Sequence, residues 1–162
     1  MQPTEILMNE HRIIEQVLDC LEKILDQCTA ENKLDTKSAK QAIEFFRGFA
    51  DGCHHNKEEA RLFPMMEANG FSGGCSPVAV MLREHELGRL YVQGMAAAID
   101  PAAAGDCEAM KWFIQHGQSY LKLLREHIRK EDEILFRATS AGGISLAEDA
   151  DLIPANTADQ VV

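Results

Sequence analysis

A chain of 162 residues is long enough for one domain with its own core and short for two. With 46% hydrophobic and 26% charged residues it has the composition of an ordinary soluble globular protein, and no run of 18 apolar residues is present to span a bilayer. The balance of 16 basic against 26 acidic residues, a net charge of −10, disfavours nucleic acid and anionic membranes as partners.

Residues 1–9 carry acid and no basic stretch, so they do not read as a signal peptide. Five cysteines, an odd number without a CxxC, fit reduced thiols. The expected location is therefore the cytoplasm.

Proline is rare and long segments are rich in Leu, Met, Ala, Glu, Lys and Arg, which favour helix. The first helix is expected over about Thr4 to Cys28. The second starts at Asp35 or Thr36, either of which can cap it, and should end near Phe63, before Pro64. The third follows Ser76 as N-cap, with Pro77 at the first helical position, and reaches about Ile99. The fourth is capped by Asp106 and ends near Ala138, ahead of Gly142 and Gly143. The short connections at 29–35, 70–76 and 100–105 favour antiparallel neighbours. The fold expected is all-α, an antiparallel up-down-up-down four-helix bundle over residues 1–139. An irregular tail at 140–162 could be pinned by Ile144, Leu146, Leu152 and Ile153.

The apolar seams fit such a bundle. The first helix carries Leu7, His11, Ile14, Leu18, Leu21 and Leu25, spaced by three and four. The third carries Val78, His85, Val92 and Ile99, and the fourth Phe113, Tyr120, Leu124, His127, Glu131 and Ile134. Imidazoles and a carboxylate on a core seam need partners, and a buried carboxylate needs a cation.

An internal repeat supplies them. Residues 54–63, HHNKEEARLF, align without gaps to residues 127–136, HIRKEDEILF, sharing H-x-x-K-E-[ED]-x-x-L-F. Upstream, Leu7-Met8-Asn9-Glu10-His11 resembles Met81-Leu82-Arg83-Glu84-His85. Each copy offers a lone His on its first helix and an HxxxE pair on its second. A His and a Glu four residues apart lie on one helix face, and antiparallel packing brings all four imidazoles to one end of the bundle. Both His54/Glu58 and His55/Glu59 satisfy HxxxE. The repeat selects His54 and Glu58, and periodicity places His55 with Glu44, Asp51 and Glu59 on a solvated face.

Four imidazoles and two carboxylates are too many donors for one tetrahedral zinc. Two carboxylates can instead bridge a pair of metals, each taking terminal imidazoles and keeping open positions. Mixed His/carboxylate sites in helical bundles suit iron or manganese. The expected ligands are His11, His54, Glu58, His85, His127 and Glu131.

These residues resemble the hemerythrin-like, or HHE cation-binding, domain over about residues 4–138. The resemblance implies two non-haem irons bridged by an oxo or hydroxo group and by two carboxylates. Members bind oxygen, respond to nitric oxide or peroxide, sense iron, or repair iron–sulfur clusters. The respiratory oxygen carriers have a further His four residues after the helix-3 His, where this chain has Arg89. They also have an Asp five residues after the helix-4 His, where this chain has Glu131 at four. Both departures argue against oxygen storage, and the Cys-bearing domain usual in the repair proteins is not in this sequence. The function expected is a di-iron protein that binds or responds to oxygen, nitric oxide or peroxide in sensing or stress defence. The alternatives are iron handling, cluster repair, or a metal-stabilised signalling module.

Other residues carry open readings. His116, three turns before His127, is a support of the site, a spare ligand, or an ordinary polar residue. Tyr120 is a hydrogen-bond donor or redox neighbour of the site, or a core tyrosine. Glu10 and Glu84, each before a ligand His, gate entry to the site, hold it from outside, or face solvent.

Overall fold

The computed structural model describes residues 3–141, and the expected tail at 140–162 lies almost wholly outside that range. Four helices pack together. The first is Pro3–Glu31, and the second runs continuously over 36–68. The third is Pro77–Ala103, and the fourth starts at Cys107 and continues to residue 141. The first helix packs on the second and fourth, and the third packs on the same two, which closes a four-membered ring. None of the described helices is long and apolar enough to cross a membrane.

The caps are those expected from sequence. The Asp35 carboxylate accepts from the Ser38 amide, the Ser76 hydroxyl from the Ala79 amide, and the Asp106 carboxylate from the Glu108 and Ala109 amides. Each such cap is worth about 1 kcal/mol.

Two helix ends differ from expectation. Pro64 does not end the second helix, which continues to Ala68. The turn before it, Glu58–Leu62, is a wide π turn in which the Phe63 amide bonds to the Glu58 carbonyl. Pro64 then occupies the start of a fresh α segment, where no amide proton is needed. The third helix likewise runs past Ile99, through Pro101, to Ala103.

Wide turns also occupy Phe46–His55 in the second helix and Glu131–Leu135 in the fourth. Such turns bond i to i+5 and insert a residue into the helical register. Ile134, assigned to the core seam by periodicity, is consequently 62% exposed, and Leu135 takes its place at 3%.

The apolar core is split in two. The larger part includes Ile14, Leu18, Phe46, Ala50, Val92, Tyr120, Leu124 and Ile128. A smaller part near the helix 2–3 connection includes Leu7, Leu62, Phe63, Met66, Val78, Met81 and Leu135. On every helix the polar residues singled out from sequence fall between the two: His11 between Leu7 and Ile14, His54 and Glu58 between Ala50 and Leu62, His85 between Met81 and Val92, and His127 and Glu131 between Leu124 and Leu135.

Candidate metal centre

His11, His54, His85, His127, Glu58 and Glu131 are all essentially inaccessible to solvent and converge in one layer. Their donor atoms form two buried groups: His11, His54, Glu58 and Glu131 in one, and His55, Glu58, His85 and His127 in the other. Within each group the donors lie within 4.8 Å of one another. The two groups form a candidate binuclear metal site.

The carboxylates span the groups. Glu58 Oε1 is 3.3 Å from His54 Nε2, and its Oε2 is 3.4 Å from His85 Nε2. Glu131 Oε2 is 3.2 Å from His11 Nε2, and its Oε1 is 3.3 Å from His127 Nε2. Each carboxylate thus reaches into both groups with different oxygens. Two donors each ~2.1 Å from one ion and at right angles stand ~3 Å apart, close to these separations.

His55 corrects the sequence reading. It is not on a solvated face but only 5% exposed, and its ring stacks on that of His85. The wide turn Phe46–His55 alters the register so that adjacent residues His54 and His55 both point inward. The HxxxE spacing shared by both histidines is the available signal, but the repeat and α-helical periodicity both point to His54 alone.

Every imidazole in the layer is held from behind through Nδ1. His11 donates to Asp132 (2.6 Å), His54 to Glu10 (2.9 Å), His85 to Glu59 (2.7 Å) and His127 to Glu84 (2.9 Å). His55 donates more weakly to Asp51, at 3.4 Å. These carboxylates are gripped in turn by cations. Arg12 holds Asp132, Lys57 holds Glu10, Lys130 holds Glu84, and Arg89 holds both Asp51 and Glu59. Holding Nδ1–H in this way fixes the tautomer and aims the Nε2 lone pair inward, as metal-binding histidines require. Glu59 and Asp132 occupy the [ED] position of the repeat, so the motif encodes them, although their partners lie too far along the chain for the motif to reveal their role. Glu10 and Glu84 settle as supports of His54 and His127.

The inner atoms lack partners. His11 Nε2, His54 Nε2 and all four oxygens of Glu58 and Glu131 are buried without a hydrogen bond. Leaving six such atoms unsatisfied is costly, and two cations would satisfy them. The electrostatics agree. Burial and the facing charge of Glu131 push the Glu58 carboxyl well above its ordinary pKa. Burial opposes ionisation of Glu131 too, but His127 and His11 outweigh it and hold that carboxyl low. Desolvation lowers His54 to about 4 and also depresses His55 and His85. At His11 desolvation is overcome by Asp132 and Glu131, which raise it to about 9. Cations would let both carboxylates ionise and keep the imidazoles neutral.

His116 lies outside the layer. It packs against Trp112 and Tyr91, with Nδ1 donating to the Trp112 carbonyl. The cysteines contribute no donor to either group.

The family model of the hemerythrin HHE cation binding domain matches residues 2–139. Proteins from two strains of Mycobacterium tuberculosis and one of Mycobacterium bovis, each described as uncharacterized, are 26% identical over 135 residues. The match covers 83% of this chain and 52% of each relative, so the chain spans about half the length of the curated relatives it matches. No solved structure is significantly similar.

Proposed function

Because the chain belongs to the hemerythrin HHE cation-binding family, we propose that its buried layer holds two non-haem irons and binds or responds to a small oxidant or diatomic ligand, in sensing or stress defence. Oxygen, nitric oxide and peroxide are the candidate ligands. The observation that carries this reading is the set of orphaned inner donors, aimed inward by imidazoles that are themselves held through Nδ1.

His11 and His54 would serve one ion and His55, His85 and His127 the other, with Glu58 and Glu131 shared. Nitrogen and oxygen donors without thiolate, in this number, suit iron or manganese better than structural zinc. A bound iron pair would supply one-electron redox chemistry and open coordination positions. The chain supplies the rest. Lys57, Lys130, Arg12 and Arg89 fix the outer carboxylates, those carboxylates fix the rings, and the two apolar cores keep bulk water from both sides of the layer.

The test is metal analysis of protein from its native host, followed by visible absorption during titration with azide and nitric oxide. About two irons per chain and a spectrum that responds to either ligand are expected. Iron at full content with no response to any small ligand would refute the responsive role.

A further inference from the structure

The repeat predicts a two-fold-like site, and the structure breaks that symmetry on one side. Between the second and third helices lies a cavity of about 260 Å³ that reaches the rings of His55 and His85. Its inner wall is formed by Phe46, Gly88, Val92 and Tyr120, and Arg47, Asp51, Arg89 and Gln93 also line it.

In the ungapped repeat, Asp51 and His55 align with Leu124 and Ile128, and Gly88 aligns with Ile14. The counterparts Ile14, Leu124 and Ile128 are all buried apolar side chains. The groove on that opposite face is bordered by Arg12, Glu15, Asp19, Arg125 and Arg129, and the buried residue it meets is Ile128 rather than an imidazole. On one side the groove is therefore kept from the imidazoles by aliphatic side chains, and on the other a missing side chain at Gly88 lets the cavity reach them.

The cavity is larger than a diatomic needs. A water occupies roughly 30 Å³ in the liquid, and a cavity of about 150 Å³ takes benzene. Arg89 is paired with Asp51 and Glu59, and Arg47 is exposed to water that screens it, so neither presents a desolvated, uncompensated charge to a guest. Tyr120 is 2% exposed, and its hydroxyl forms no hydrogen bond among the described residues. A buried phenol ordinarily finds an acceptor.

We infer that this cavity is a binding site for a small neutral molecule with an apolar body and one hydrogen-bond acceptor, which Tyr120 would meet, seated against His55 and His85. The inference rests on the metal reading for what the guest is brought beside, but the cavity does not depend on it.

The experiment is calorimetric titration of the metal-loaded protein with cyclopentanone, a neutral ketone of suitable size, with metal content measured on the same samples. Wild type should bind saturably. Tyr120→Phe, which removes the donor and keeps the ring, should weaken binding about fivefold. Gly88→Leu should abolish it at unchanged metal content. Gly88→Ala is the milder control, because its methyl would meet Tyr120 Cε2 at 3.6 Å and Leu123 Cδ2 at 3.8 Å, ordinary contacts; it should fold and bind more weakly than wild type. Absence of saturable binding to metal-loaded wild type, or wild-type affinity in both Gly88 variants, would overturn the cavity proposal. Wild-type affinity in Tyr120→Phe would overturn the role of the acceptor. Saturable binding by protein that takes up no metal would support the cavity while removing the metal reading.

Discussion

His55 and His85 lie face to face, ring centroids 3.9 Å apart and planes 13° apart, although they come from different helices. Behind them stand Asp51 and Glu59, and Arg89 bonds to both. Arg89 occupies the position where related oxygen carriers have a further histidine. Here the fifth imidazole comes from the second helix, and the arginine fastens the carboxylates that orient it and its neighbour.

Removing Arg89 should therefore disturb one half of the site. Arg89→Met keeps the apolar stem and deletes both ion pairs. Metal affinity should fall about 10–100-fold at the position served by His55, His85 and His127. The position served by His11 and His54 should be nearly unchanged. Competitive chelator titration, which resolves two binding steps, would measure both. An equal loss at the two positions would contradict the division of donors.

His55→Ala tests whether the fifth imidazole is a ligand at all. The expected outcome is a stoichiometry that falls from about two ions per chain toward one, with helix content retained by circular dichroism. Full stoichiometry with unaltered optical spectra would mean that His55 is merely packed beside the site.

Chelation should destabilise the bundle because it leaves Glu58, Glu131 and the inward imidazoles without partners. At free metal about a thousand times its Kd, binding to the folded state contributes roughly 4 kcal/mol. For a domain of this size that corresponds to a drop in Tm of roughly 8–16 °C on metal removal. A melting curve unchanged after complete removal would argue that the site does not help hold the fold.

The wide turn in the fourth helix makes opposite predictions for adjacent residues. Ile134 is exposed, so Ile134→Lys should change stability by no more than about 0.5 kcal/mol. Leu135 is buried with Phe63 and Met66, so Leu135→Ala should cost about 2–5 kcal/mol. Denaturant titration of both variants at constant metal measures the difference, and equal costs at the two positions would contradict the register shift.

Much of the fold and of the site was legible in the chain itself. The caps Asp35, Ser76 and Asp106 act through hydrogen bonds that span two or three residues, so local sequence reveals them. His11, His54, Glu58, His85, His127 and Glu131 stood out because a polar residue on an apolar seam is anomalous, and because the anomaly occurs twice in one repeat. The structure brings all six into one buried layer. Glu59 and Asp132 were written in the same repeat, but their partners His85 and His11 lie in the other copy, across the bundle.

Periodicity alone fails where the helix departs from 3.6 residues per turn. The order of the helices, the antiparallel packing and the level at which the imidazoles meet follow from hydrophobic spacing and short connections, which are properties of the sequence. The burial of His55, the exchange of Ile134 for Leu135 and the continuation through Pro64 follow from wide turns. The open wall at Gly88 depends on which side chains pack opposite it. Those features were decided only in the tertiary structure, because inserting one residue into a helical turn redirects the side chains around it, and no local propensity in these segments announces the insertion.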